Sequence, residues 1–396
     1  MIDRHSRKHS INRLIESWPF LGNKPVNYYR YFYTLAVIVA IYTYFFKRYI
    51  PGDSYQLYTI FSLCLSLLAF IWHTYLTKLT LKKAYAIFAS LVFIILMPSS
   101  FYLLDHSSDF SILSFFLLSV SIDPKQTDLI RFLFYAKFFL AIGVLFFYVR
   151  GQLPDVTSYR ASLHLVRHSY GFMHPNSLSM FAASLLYDFS LMKEKSTNLL
   201  ETLSMILFSL LIYSITDSRT GLMAFILVIF CSVFKTQLLK VELSGDVLFV
   251  DIIIIFIVGT ALSYFYKAGS PLSSVLNKAF TGRLSNAHRY LLKYSFSLTP
   301  RKIPDLHYAD GSRIFNENFY VDSLMRQGLF VYLLFPIMIG FQLMKKNITL
   351  YHFILILATF MTAMMEDYGV SFCISSIMLF DYFSISRKPR SIGARI

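Results

Sequence analysis

Residues 247–266 read VLFVDIIIIFIVGTALSYFY, twenty positions carrying one charge, Asp251. A bilayer's hydrocarbon core is about 30 Å thick, and a helix needs roughly 20 mostly apolar residues to cross it. This run is that long and does not alternate. Comparable runs lie at 31–46, 55–76, 84–104, 110–121, 129–148, 171–192, 199–216, 221–236, 321–343, 351–365 and 368–384. Together they predict about twelve spans, with 110–121 short enough to be tilted or re-entrant. A transmembrane barrel would instead show roughly ten-residue segments of alternating polarity. In lipid only helices or closed barrels satisfy every backbone polar group, so the expected class is all-α, a polytopic integral membrane protein.

Composition agrees. Of 396 residues, 56% are apolar and 15% charged, against about 25% charged in an ordinary soluble domain. A cytosolic globular enzyme is thereby excluded. Cys64, Cys231 and Cys373 all sit inside apolar runs and predict no disulfides. The first apolar run is followed directly by Lys47 and Arg48 rather than by a small-residue cleavage site, so it reads as a retained helix.

The charge is uneven: 37 Lys+Arg against 22 Asp+Glu, a net +15. With the N-terminus inside, about 21 cations fall on the inner connections and tails, as the positive-inside rule expects of a membrane protein with both termini cytoplasmic. The chain then divides into a basic tail (1–30), nine spans (31–266), a long extracytoplasmic loop (267–320), three spans (321–384) and a second basic tail (385–396). Topology leaves unexplained Arg150, Arg160, Arg167, Arg219, Lys267, Lys278, Arg283, Arg289, Lys293, Arg301, Lys302, Arg313 and Arg326. These gather on one face. Arginine presents a planar fork matched to phosphate oxygens, so the set predicts a phosphate-bearing ligand at the outer boundary. Single loop arginines, read one at a time, pair equally well with lipid headgroups. Lys137, mid-span, needs a cavity or an internal ion-pair partner.

Three patterns carry the rest. Arg167-His-Ser-Tyr-Gly-Phe-Met-His174-Pro-Asn176 opens the sixth span. Pro175 there suits a helix start, with Asn176 and Ser177 as capping groups. Asp217-Ser-Arg219-Thr-Gly221 is a tight turn between spans, whose small polar residues follow from geometry while its arginine does not. The loop carries Thr281-Gly-Arg283-Leu284 and leaves through Glu317-Asn318-Phe-Tyr320-Val-Asp322. Its interleaved aromatic and basic residues suit sugar rings, or a membrane-surface helix over 289–298. No clustered His/Cys/Asp spacing points to a metal.

The order of these motifs resembles the O-antigen polymerase and ligase superfamily of bacterial envelope glycosyltransferases. The nearest likeness is to the repeat-unit polymerases of capsule and exopolysaccharide pathways. It rests on Gly-Phe-Met-His-Pro-Asn at 171–176, Ser-Arg-Thr-Gly at 218–221, Thr-Gly-Arg-Leu at 281–284, Glu-Asn-Phe-Tyr at 317–320 leading to Gly328, and Glu366. The resemblance implies a GT-C-like fold and a metal-independent, inverting enzyme without cofactor. It implies as donor and acceptor undecaprenyl-diphosphate-linked oligosaccharides, with membrane lipids and a chain-length regulator as partners and no nucleic acid. By family role Arg167 and Arg219 would hold the diphosphate, Arg283 would be a third contact, and Arg160 and Arg313 further ones. The ligase branch carries a histidine before the asparagine; this chain has Glu317, which becomes the candidate base. Asp322 and His307 are the second and third candidates. His174, Asn176, Asn318, Tyr320 and Lys137 would support the site. The rival readings are a ligase of the same superfamily and a flippase for lipid-linked oligosaccharides.

Overall fold

The computed structural model describes residues 28–46, 52–96, 113–114, 116–121, 127–160, 164–301, 303–309, 311, 313–344, 346–366 and 385–386. Of these, 72% are helical and the strands are few and short. The helices are α1 (Tyr28–Phe46), α2 (Gly52–Thr77), α3 (Leu81–Leu96), α4 (Thr127–Val149), α5 (Pro175–Met192), α6 (Leu199–Thr216), α7 (Arg219–Val233), α8 (Gly245–Tyr264), α9 (Pro271–Ala279), α10 (Arg283–Tyr294), α11 (Phe319–Arg326), α12 (Gly328–Leu343) and α13 (Leu350–Thr362). Four segments are long and apolar enough to cross a membrane: Leu57–Thr77, Leu129–Val149, Leu199–Thr216 and Gly245–Tyr264. Four shorter helices are also apolar: Arg30–Thr43, Arg219–Val233, Gly328–Leu343 and Leu350–Thr362. The expected span at 368–384, positions 110–112 and 115 of the run 110–121, and the end of 84–104 lie outside the described residues.

Helix α5 is the axle. Fifteen of its 18 residues are buried, and its serines let neighbours approach closely, as small residues do between membrane helices. Gly221 of α7 comes so near that a Cβ there would sit 1.8 Å from Ser179 Oγ. Around α5 lie α4, α6 and α7, with α13 packed on α7 and α8 on α12 and α13. Asn198 and Glu201 form a reciprocal capping box that starts α6 where the sequence places it. Lys137 of α4 meets Asp188 of α5 at 2.7 Å, both almost wholly buried. It is thus the internal ion pair, within the packed bundle rather than at its end.

Two expectations change. The sixth span begins at Pro175, because 171–174 form a turn instead of helix. The run 321–343 is not one helix: α11 ends at Arg326, Gln327 caps it, and α12 starts at Gly328 with φ +77°. The backbone of Leu298 and Thr299 crosses the break, 2.6–2.7 Å from where a Gly328 Cβ would stand. A uniformly apolar run hides such a break, since hydropathy does not register backbone geometry.

The two ends of the bundle differ. At one, two connections and residues 385–386 form an antiparallel sheet: β3 (Glu242–Ser244) beside β6 (Lys346–Thr349) beside β7 (Ile385–Ser386). Lys235 lies at that end too, donating to the carbonyls of Ser190 and Lys193. The other end carries the hairpin of β1 (Ser158–Arg160) and β2 (Leu165–Arg167), and the 267–320 connection. That connection has its own small core, formed by Ala287, Tyr290, Leu291, Ile303, Leu306 and Ile314 against Val321 and Met325. Tyr290 Oη donates to Ile314 O and accepts from Leu306 N, pinning the hairpin of β4 (Leu306–His307) and β5 (Arg313–Ile314). The expected surface helix at 289–298 is therefore α10, starting six residues earlier and turning one face inward.

Candidate functional site

At this end the N-termini of α5, α7, α10 and α11 meet the C-termini of α6 and α13. β2 delivers Arg167 to the end of α6, where its Nε donates to Thr216 O at 2.5 Å. Its Nη2 donates to Asn176 Oδ1. Asn176, at the second position of α5, turns its Nδ2 the other way and donates to Glu366 Oε1 at 3.0 Å. That same oxygen accepts from Arg283 Nη2 at 2.8 Å. Arg283 also reaches Thr281 Oγ1 and lies 2.6 Å through Nε from Glu317 Oε2. The Nε approach is off-line for a hydrogen bond, so the Glu317 contact is an ion pair without direction.

Arg167, Asn176, Glu366, Arg283 and Glu317 thus form one bonded chain drawn from four segments, with Asn176 and Glu366 190 residues apart. It is nearly dry at its centre: Glu366 is 1% exposed, Arg167 6% and Arg283 8%. Glu317, at 31% side-chain exposure, is its open edge. Asn318 follows Glu317 and caps α11 through Tyr320 N and Val321 N, while its Nδ2 donates to Gly259 O and Ser263 Oγ on α8. Phe319 N donates to Ala363 O, and Tyr320 Oη to Phe360 O. Asn318 and Tyr320 therefore fasten α11 to α8 and α13, which sets Glu317 and Glu366 on either side of Arg283.

The placement of the arginines is locally unfavourable. Arg219 and Arg283 each occupy the first position of a helix, where the macrodipole's positive end disfavours a cation by about 0.3–1 kcal/mol. Arg219 is exposed, three residues along the chain from the Thr216 carbonyl that Arg167 holds. Side chains that break a local rule at one place mark a functional site more often than a structural one. An anion there would satisfy both guanidinium groups and the helix ends.

His174 caps α5, its Nδ1 accepting from Asn176 N at 3.2 Å. Burial, then the positive charges of Arg167 and Arg283, push its pKa down to about 4. The ring is neutral at pH 7. Beside Arg167, Asp155 accepts from the backbone of Ser169 and Tyr170 and from His168 Nδ1. Burial alone would raise the Asp155 pKa, but these donors hold it below the usual carboxylate value. Nothing in the spacing of Asp155 and His168 along the sequence signals this tie.

The other predicted residues lie elsewhere. Asp322 accepts from Arg326 Nε at 2.8 Å on its own helix and from Asn316 Nδ2 at 3.3 Å. His307 is exposed in the β4–β5 hairpin, its backbone paired with that of Arg313. Arg160 ends β1, opposite Leu165. Among the described residues no group of three His, Cys, Asp or Glu side chains could hold a metal ion. No protein-family model, no curated protein and no solved structure matches this chain.

Proposed function

We propose that this protein is a membrane glycosyltransferase that polymerises polyprenyl-diphosphate-linked oligosaccharide repeat units at the extracytoplasmic face. The reading includes a twelve-span, GT-C-like bundle with both termini cytoplasmic. One observation carries it: the bonded chain from Arg167 to Glu317 gathers residues of four distant segments, with exposed Arg219 beside them.

Arg219, Arg167 and Arg283 bind the diphosphate of the donor, whose tail stays in the bilayer. The acceptor hydroxyl oxygen forms a bond to the donor's anomeric carbon. The bond from that carbon to the diphosphate oxygen breaks, and its electron pair leaves on the diphosphate. The hydroxyl proton passes to a Glu317 carboxylate oxygen. Attack opposite the leaving group inverts the anomeric centre. Of the two acids on Arg283, Glu317 is the one an entering phosphate can displace, being undirected and more open, whereas Glu366 is buried and doubly bonded. Displacement frees the base as the donor arrives. Preorganised donors aimed at developing charge lower a barrier by about 3–4 kcal/mol each.

The test is the lipid-linked pool of cells carrying Arg219→Ala or Arg167→Ala at equal membrane levels. Polymer should vanish while single repeat units accumulate on the outer leaflet. Normal polymer in both variants refutes the clamp, and repeat units trapped on the inner leaflet point to a flippase instead.

A further inference from the structure

Three kinds of group face the proposed anion: the exposed Arg219, the buried Arg167–Asn176–Glu366–Arg283 chain, and the imidazole of His174 between Arg167 and Arg283. The first two have roles above. The third has so far only a capping bond.

That bond decides the ring's chemistry. A backbone N–H can only donate, so Nδ1 of His174, which receives it from Asn176 at 3.2 Å, carries a lone pair. A neutral imidazole with an unprotonated Nδ1 holds its proton on Nε2. Two guanidinium groups, those of Arg167 and Arg283, act on this ring in the same direction, and both oppose a second proton. The ring is half-buried, so its outer edge is reachable. Its Nδ1 is taken up at the start of α5, which leaves the Nε2–H across the ring for another partner. A neutral side chain beside two arginines adds a donor without adding like charge.

Resting on the reading of this site as a diphosphate clamp, we propose that His174 is a binding residue, its Nε2–H donating to an oxygen of the diphosphate. It acts neither as base nor as acid. Its bond strengthens as the leaving diphosphate gains charge, which stabilises the transition state more than the ground state.

The capping and donor roles are separable by substitution. Serine is as good an N-cap as any residue, so His174→Ser keeps an acceptor for Asn176 N but removes the donor. Glutamine places an amide N–H near the position of Nε2, so His174→Gln keeps a neutral donor and loses the preferred cap. The full chain in nanodiscs is titrated with farnesyl diphosphate by calorimetry. A hydrogen bond to a charged group corresponds to at least about a tenfold change in affinity. Expected is binding at least about tenfold weaker in His174→Ser, with His174→Gln near wild type. The reverse pattern, or any other, overturns the donor role while the clamp stands. If the wild-type chain fails to bind farnesyl diphosphate, the clamp reading itself falls, and this inference with it.

Discussion

The bond most able to expose an error in this account is Arg283–Glu366. Both side chains are almost dry, at 9% and 1% exposure, and they meet at 2.8 Å. Two unit charges about 4 Å apart attract by about 4 kcal/mol at an effective dielectric near 20. Desolvation takes back much of this, and removing one partner alone leaves a stranded charge at a cost of about 3–5 kcal/mol. Arg283 keeps its ion pair with Glu317 in a Glu366→Gln chain, which places the expected loss at the lower end, about 3 kcal/mol. Arg283→Met should cost a similar amount, because the buried Glu366 carboxylate then loses its arginine counterion. The double variant strands neither charge, so it should lose less than the sum. Equilibrium unfolding in mixed micelles across the four proteins of the cycle should give a coupling of about 2 kcal/mol. Distant, unconnected sites add within about 0.5 kcal/mol. A coupling no larger than that refutes the bonded chain and with it the assembly of the site.

Four further outcomes follow from the same geometry. Arg219→Ala should leave thermal stability almost unchanged, within about 0.5 kcal/mol, because the side chain is exposed. Arg167→Ala should lower stability measurably through loss of its bonds to Thr216 and Asn176, by about 2 kcal/mol; equal melting curves contradict this. Gly221→Ala should cost about 1–3 kcal/mol by overpacking against Ser179, and adding Ser179→Ala should recover part of it. Finally, Lys137→Met or Asp188→Leu alone should destabilise by about 3–5 kcal/mol. The two together should cost far less, which expression and unfolding of the three variants will show.

The sequence made the helical class plain, because long unbroken apolar runs are a local signal. The break at Gly328 was not plain, since its cause is a backbone crossing from 298–299, distant in the fold's logic though near in number. Arg167, Arg219 and Arg283 stood out as cations that topology did not require. Their partners did not, because nothing along the chain says that Arg283 shares an oxygen of Glu366 with Asn176. Asn318 and Tyr320 stand in the sequence only as supports, and their bonds to α8 and α13 come from the fold alone. Lys137 announced the need for a partner without revealing Asp188, 51 positions away on the next described helix.

The span between Asn176 and Glu366 bears on how the molecule is made. The two residues leave the ribosome 190 positions apart, so every nascent chain passes through a stage in which Asn176 and Arg283 have been made and their shared acceptor, Glu366, has not. Arg283 is buried, and a buried charge without its counterion is costly to keep in place. During synthesis the half-built bundle must therefore either delay docking α10 or rely on passing lipid phosphates as surrogate counterions. Chains arrested just before and just after residue 366 should differ sharply in protease resistance around Arg283, with the transition falling where Glu366 emerges.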